Sequence, residues 1–209
     1  MKPGEKDLHL NVRMEKYDPE KLDAHHQVAT LIYSADEEFS AIIYGKQDEG
    51  VEVIKKMMQM APNYFTYPHV DCAVINGDLV GVLVGFPVKD KKALDQASGK
   101  CFARVFGFWA FLKKMPTMMR ISHISWKEMD DQGFVVNSLC VSPSHRGKGL
   151  GSLMLEKVFE TYDKVYLDVN INNDRALKFY EELGFQVKSK NTTKYKGKTI
   201  GLYSVMKGC

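Results

Sequence analysis

The residues with the clearest chemical meaning form a glycine-rich turn between an apolar strand and a helix. The strand ends at Leu139-Cys140-Val141, and the turn reads Arg146-Gly147-Lys148-Gly149-Leu150-Gly151. Three glycines in five positions allow a ligand to approach the backbone closely. The free N–H groups and the positive dipole end of the next helix attract anions, and Arg146 and Lys148 add positive charge. The turn therefore predicts a site for a phosphate or pyrophosphate.

Two other phosphate-binding loops fit this turn poorly. A Walker loop requires G-x-x-x-x-G-K-[ST], which the sequence does not contain. The dinucleotide motif G-x-G-x-x-G follows the first strand of a βαβ unit. Here Gly147, Gly149 and Gly151 have a different spacing and come late in the chain. A nucleotide-binding protein that uses this turn stays open as an alternative.

A second segment, Asn173-Asp174-Arg175-Ala176-Leu177-Lys178-Phe179-Tyr180-Glu181-Glu182-Leu183-Gly184-Phe185, lies about one α-β unit further on. The two segments together resemble the GCN5-related N-acetyltransferase (GNAT) superfamily. In that family an Arg/Gln-x-x-Gly-x-Gly/Ala turn wraps the pyrophosphate of acetyl-CoA, and an N-x-x-A-x-x-x-Y-x-x-x-G-F segment follows it. The resemblance covers residues 134–187. It implies the acyl-CoA N-acyltransferase fold, an α/β fold with a mixed, mostly antiparallel central sheet splayed at its middle strands and helices on both faces.

The resemblance also implies roles for individual residues. A bulge in strand 134–141 opens a V-shaped slot beside the strand 165–169, and the exposed backbone pairs there with the pantetheine arm. An N–H near Cys140 stabilises the oxyanion of the thioester. Tyr180 protonates the departing thiolate, because a phenol of pKa about 10 keeps its proton at pH 7. The implied catalytic residues are Tyr180 and Cys140, and the implied cofactor-binding residues are Leu139, Cys140, Val141, Arg146, Gly147, Lys148, Gly149, Leu150, Gly151 and Asn173.

Each of these side chains also has a plain structural interpretation. Tyr180 beside Phe179 fits a core aromatic, and Asn173 fits a helix N-cap as well as a pantetheine ligand. Cys140 on a buried strand is more often a small apolar residue than a nucleophile. No histidine partner is evident for it, so direct attack by the amine is favoured over a covalent route.

Removal of a proton from the acceptor amine needs a base, since such an amine is mostly protonated at neutral pH. The sequence does not single out one base. The candidates are Asp36, Glu37, His123 and Glu128, with Asn137 or Ser138 holding a water. Acidic residues near the acceptor slot would favour a cationic acceptor, but this sequence offers few of them and leaves the type of acceptor open. They are Asp36, Glu37, Glu38 and Glu128.

Hydrophobic periodicity predicts the elements that position these segments, in the order β-ααα-β-β-(α)-β-α-β-α-β-β. Alternation from Leu8 to Met14 predicts the first strand, and Asp18-Pro19 predicts a helix start. Asn76-Gly77 between Val70–Ile75 and Leu79–Phe86 predicts a hairpin. The other predicted elements are helices through 39–43 and 53–58, strands 134–141, 165–169, 185–187 and 199–206, and helices 151–162 and 174–183, the last ended by Gly184.

Residues 89–128 form an insertion that is longer than the family's usual connection. It contains nine Lys or Arg, three acids and the aromatic cluster Phe102, Phe106, Phe108, Trp109 and Phe111. One or two helices are expected here, ending near Pro116. Three interpretations stay open: the aromatics pack inward, they line the acceptor pocket or a homodimer contact, or the segment contacts a membrane surface or an acidic partner. The insertion could also restrict access to small substrates.

Length, charge and cysteine usage limit the number of domains, the kinds of partner and the location that are expected. A chain of 209 residues suggests one domain, and a net charge of +3 is too small to indicate a nucleic-acid partner. Cys72, Cys101, Cys140 and Cys209 form no C-x-x-C pair, so neither a metal site nor a disulfide framework is expected, and a reducing cytoplasm fits. No apolar run reaches the roughly 18–20 residues of a membrane span, and Met1 to Asp7 does not resemble a signal peptide.

The expected protein is therefore a cytoplasmic N-acetyltransferase that forms one domain over residues 1–209. It would move an acetyl group from acetyl-CoA to a primary amine of a small molecule or polypeptide, by direct attack in a ternary complex. A non-catalytic CoA-binding regulatory module is the main alternative.

Overall fold

The structure, a computed structural model, describes residues 12–18 and 25–208. The elements follow the predicted order. In these ranges the strands are β1 (Val12–Lys16), β2 (Val70–Ile75), β3 (Asp78–Pro87), β4 (Phe134–Val141), β5 (Val165–Asn170), β6 (Gln186–Tyr195) and β7 (Lys198–Lys207). The α-helices are α1 (His25–Ser34), α2 (Glu37–Ile43), α3 (Gln47–Met58), α4 (Lys91–Phe106), α5 (Phe108–Ile124), α6 (Leu150–Phe159) and α7 (Asp174–Glu182).

The described strands form a seven-stranded sheet in the order β1-β2-β3-β4-β5-β7-β6. Its pairs are antiparallel except β4 and β5, which run parallel. One core packs α1, α3 and α4 against one face of the sheet. A second core packs α6 and α7 against the other face. The structure thus confirms the mixed, mostly antiparallel sheet with helices on both faces.

The Asn-Gly hairpin forms as predicted. Asn76 has φ 52° and Gly77 has φ 93°, the left-handed pair that a two-residue turn between β2 and β3 requires. Lys196 and Gly197 make the equivalent turn between β6 and β7, with φ 47° and 81°. The first strand of this hairpin is much longer than predicted, because β6 is polar almost throughout and so lacks the alternation of apolar and polar residues that predicts a strand.

The structure describes only part of the segment that carries the predicted first strand and the predicted first helix. The predicted first strand appears from Val12 onward, whereas its earlier residues Leu8 and Leu10 lie outside the described ranges. Pro19 of the predicted helix start lies outside them as well. The described helix α1 begins at His25, and it buries Val28, Leu31 and Ile32.

Two helices fill the 89–128 segment, but the expected end near Pro116 is wrong. Helix α5 continues through Pro116 to Ile124. Proline removes one hydrogen bond from a helix interior. Burial of Ile124 and the packing of Ile121 beside it hold the last two turns in place. Among the described residues, no helix is both long and apolar enough to cross a bilayer.

The aromatic residues of this segment divide between the core and solvent. Phe102 is 5% exposed, and Phe106 and Phe111 pack against the same core. Phe108 and Trp109 are 62% and 75% exposed. Inward packing therefore holds for three of the five aromatics.

A bulge on β4 changes which side chains face which core. Gly85 of β3 pairs with Val136 and Val84 pairs with Ser138, so Asn137 is the extra residue. Side chains normally alternate between faces, and one extra residue reverses that alternation. Accordingly Val136 lies in the α6–α7 core, whereas Cys140 lies in the α1–α3 core.

Candidate active site

The glycine-rich turn has the conformation and the free donors of an anion site. Gly147 has φ +77° and Gly149, the N-cap of α6, has φ +78°, both in the left-handed region. A Cβ at either position would meet nothing within 4 Å, so space is open above the turn. Within the described residues, the N–H groups of residues 149–152 have no acceptor. These residues fit the pyrophosphate of a coenzyme A thioester.

The strand that leads into this turn has an open edge. β4 pairs with β5 only at Phe134 and Val135, and beyond that point the two strands diverge. The Ser142 N–H donates to Val80 O on β3 at 2.8 Å. Because N–H directions alternate along an antiparallel strand, the Cys140 N–H also points to β3, and those of Leu139 and Val141 point into the gap. These two donors are the N–H groups near Cys140 that can face a thioester.

Arg146 lies at the end of this open edge. Its Nε donates to Val141 O at 3.0 Å, and the side chain is exposed. The guanidinium is thus held beside both the turn and the gap, where an anion would contact it.

The Cys140 thiol is buried, and its sulfur lies 3.8 Å from the Val141 carbonyl oxygen. The residue is 5% exposed in the α1–α3 core, and burial raises the pKa of its thiol, with Arg146 acting in the opposite direction. A buried thiol of raised pKa is a poor nucleophile. Any part that Cys140 plays is therefore through its position in the strand.

A cavity of about 600 Å³ opens at the point where β4 and β5 separate. Leu139, Asn173 and Tyr180 line one side of it, and helices α2, α4 and α5 enclose the other. The α4–α5 segment therefore contributes to the pocket, as one of the three interpretations proposed.

Tyr180 and Asn173 reach this cavity from opposite ends of α7. The Asn173 side chain caps the helix by accepting from the Ala176 N–H at 3.0 Å, which leaves its amide NH₂ to donate elsewhere. The Tyr180 ring packs against Phe179 and Phe185 and is 8% exposed. Burial raises the pKa of its phenol, so the hydroxyl stays protonated and can donate a proton.

The structure places two aspartates at the cavity that the sequence did not point to. Asp168 on β5 accepts from Ser204 Oγ at 2.8 Å and from the Trp126 N–H at 3.3 Å, and burial raises its pKa to about 6. Asp95 on α4 pairs with Lys91 Nζ at 2.8 Å, and burial raises its pKa to about 6 as well. Carboxylates with pKa values in this range can exchange protons near neutral pH.

The predicted bases separate into two groups. Asp36, Asn137 and Ser138 line the cavity, whereas Glu37, His123 and Glu128 do not. Asp36 caps α2 by accepting from the Phe39 N–H at 3.1 Å, and burial raises its pKa. Among the described residues, no three His, Cys, Asp or Glu side chains gather as a metal site.

The fold and this site define an acetyltransferase of the GNAT type. The model of the acetyltransferase (GNAT) family matches residues 31–185, and the chain belongs to that family.

Individual relatives share parts of the chain or its fold. N-alpha-acetyltransferase 50 from Danio rerio is 32% identical over 69 residues, which are 30% of this chain and 40% of that protein. The chain spans less than half the length of the curated relatives it matches. An N-acetyltransferase from Staphylococcus aureus Mu50 has a TM-score of 0.66 at 16% identity, covering 93% of this chain and 99% of that one. A GNAT family acetyltransferase from Elizabethkingia anophelis, solved with acetyl-CoA bound, has a TM-score of 0.52 at 11% identity, covering 95% and 99%.

Proposed function

We propose that the protein transfers an acetyl group from acetyl-CoA to a primary amine, by direct attack in a ternary complex. The observation that carries this proposal is one arrangement. A turn with free N–H donors, an open strand edge and the Tyr180 hydroxyl all border the gap between β4 and β5. The free thiols of Cys72, Cys101 and Cys140 fit action in the cytoplasm.

Each part of the site has a defined task in this reaction. The N–H groups of residues 149–152 and Arg146 hold the pyrophosphate, and Asn173 donates to the pantetheine. The N–H of Leu139 or Val141 stabilises the negative charge that develops on the thioester oxygen. These groups are fixed before the reaction, so they need no reorganisation when the charge develops.

The proton transfers complete the balance. The amine nitrogen forms a bond to the acetyl carbon as the carbon–sulfur bond breaks. Asp168 first accepts one proton from the acceptor ammonium and later releases it to solvent. Tyr180 gives its proton to the departing thiolate, and the second proton that the nitrogen loses returns to the Tyr180 oxygen through solvent. Asp168 suits this task because its carboxylate lines the same cavity as Tyr180 and has a pKa of about 6.

The test is a comparison of ligands followed by a turnover assay. Calorimetry should show binding of acetyl-CoA in preference to ATP and NAD, and thiol detection should show release of CoA with amines from a broad panel. Preference for a nucleotide would overturn the assignment. Binding of acetyl-CoA without acetylation of any amine would instead indicate the regulatory module.

A further inference from the structure

The half of the cavity that lies away from the glycine-rich turn has walls made mainly by α2, α4 and the segment around α5. We call it the acceptor chamber and define it by Phe39, Asp95, Gly99, Phe102, Met118 and Asp168. On α4 the lining residues recur at 91, 95, 98, 99 and 102, so one face of the helix points into the chamber.

Aromatic rings supply part of the walls. Tyr44 stacks on Phe102 with ring centroids 5.6 Å apart, and Tyr64 stacks on Phe86 at 5.2 Å. Phe39, Met118 and Trp126 add further apolar surface. Such walls favour a ligand with a compact apolar body over a highly hydrated one.

The charges in the chamber are unbalanced. Among the described residues, the lining of the whole cavity contains three carboxylates, Asp36, Asp95 and Asp168, and one cation, Lys91. Lys91 pairs with Asp95 at 2.8 Å, and in the described parts of the chain neither Asp36 nor Asp168 forms an ion pair with Lys or Arg. Asp168 accepts from the neutral donors Ser204 and Trp126, and the positive charge of Lys91 acts on it without forming an ion pair. A ligand ammonium would supply the missing positive charge.

Helix α5 closes the far side of the chamber. Lys114 Nζ donates to Ile43 O at the end of α2 at 2.9 Å, and Asn191 Nδ2 of β6 donates to Ile124 O at 3.3 Å. Between these two links a small core packs Phe39 and Ile124 against Ile200 and Leu202 of β7. The helix therefore bridges α2 and the β6–β7 hairpin along this side of the chamber.

We propose that the acceptor is a small cationic amine with an apolar body of about one aromatic ring, whose ammonium lies against Asp168 and whose body fills the acceptor chamber. A polypeptide N-terminus does not suit this geometry. The inference rests on the proposed acetyl transfer and names its substrate class.

Gly99 offers a direct way to fill the chamber. A Cβ there would meet nothing within 4 Å, and Gly99 lies on the chamber face of α4 without a left-handed φ. Gly99→Leu should therefore fold and occupy the space of the ligand body. We expect KM for phenethylamine to rise by about tenfold or more, with the Kd of acetyl-CoA unchanged. Lys92→Leu, on an exposed position of α4, is the matched control and should change neither value.

Charge recognition is tested without chemistry by a pair of inert competitors. Phenethyltrimethylammonium has no transferable N–H, and its neutral tert-butyl analogue has the same shape. The wild type should bind the cation about tenfold more tightly or better, and Asp168→Asn should remove that preference. Asp131→Asn, which changes an exposed carboxylate outside the chamber, should retain it.

The outcomes separate this inference from the proposed function. Release of CoA with phenethylamine, together with both variant effects, supports the inference. Release of CoA with peptide N-termini but not with small amines overturns it and leaves acetyl transfer standing. Equal binding of the charged and neutral competitors also overturns it. If the wild type does not bind acetyl-CoA, it is the proposed function that fails.

Discussion

Gly151 on α6 lies directly against the ring of Phe179 on α7. A Cβ added to Gly151 would stand 3.0 Å from Phe179 Cζ, closer than side-chain carbons normally pack. The third glycine of the turn therefore serves a different purpose from Gly147 and Gly149, which adopt left-handed φ in open space. It allows α7, which carries Asn173 and Tyr180, to approach the helix that begins at the phosphate turn.

This contact predicts coupling between the two motifs. Gly151→Leu should destabilise the fold by about 1–3 kcal/mol, because the new side chain overpacks against Phe179. Phe179→Ala should relieve part of that cost, so a double-mutant cycle should give a coupling of about 1 kcal/mol. Urea unfolding of the wild type, the two single variants and the double variant measures the four unfolding free energies. Glu156→Leu on the exposed side of α6 should show no coupling to Phe179→Ala, and equal coupling in both cycles would contradict the packing argument.

The turn predicts a charge effect at Gly149. Asn adopts the left-handed φ of +78° more readily than most residues, whereas Asp also places a negative charge beside the free N–H groups. We expect Gly149→Asp to bind acetyl-CoA at least about tenfold more weakly than Gly149→Asn. The difference in affinity between these two variants should decrease at high salt, since the turn is exposed to solvent. Calorimetry at two salt concentrations checks both points, and equal affinities would place the pyrophosphate elsewhere.

Local signals explain what could be predicted from the sequence. The Asn76-Gly77 turn, the Asn173 cap and the order of the elements depend on neighbours within a few residues. The position of the bulge at Asn137 depends on the register with β3, and only a bulge somewhere in that strand was expected. The sequence does not identify Asp168 as a site residue, because its hydrogen-bond partners Trp126 and Ser204 are 42 and 36 residues away along the chain.

Tyr180→Phe separates catalysis from binding. The ring contacts with Phe179 and Phe185 are retained, since only the hydroxyl is removed. We expect kcat to fall by about 10²-fold or more while the Kd of acetyl-CoA stays within about twofold. Steady-state kinetics and calorimetry on the same preparation measure both values. An unchanged kcat would show that Tyr180 serves only as a core residue.

The divided aromatic cluster predicts opposite results for two similar substitutions. Phe102→Ala removes a buried ring and should cost about 3–5 kcal/mol of unfolding free energy. Phe108→Ala removes a ring that is mostly exposed and should change it by no more than about 0.5 kcal/mol. Urea denaturation of both variants tests the assignment. A large loss at Phe108 would mean that its ring is buried in solution, for instance by a second copy of the chain.

Burial of Asp168 predicts a pH dependence of stability. An unfolded aspartate has a pKa of about 4, and the pKa of Asp168 is raised to about 6, so between these values the folded state holds more protons. Stability from this group is therefore present below about pH 4 and is lost as the pH rises to about 6. Asp95, with the same raised pKa, contributes in the same direction. Burial also raises the pKa of Asp36, which adds to the same trend. Asp168→Asn should remove one of these contributions, so its unfolding free energy should fall less between pH 4 and pH 6.5 than that of the wild type.

Urea titrations at several pH values across this window give the two slopes, and their difference is the readout because other groups contribute equally to both proteins. Asp131→Asn, in the exposed segment before β4, should reproduce the wild-type slope. The lost hydrogen bonds to Ser204 and Trp126 shift the stability of Asp168→Asn by a similar amount at every pH, so they do not alter the slope. If Asp168→Asn and the wild type share one slope, the carboxylate is solvated in the folded state. It would then lack the raised pKa that suits it to accept a proton from the amine.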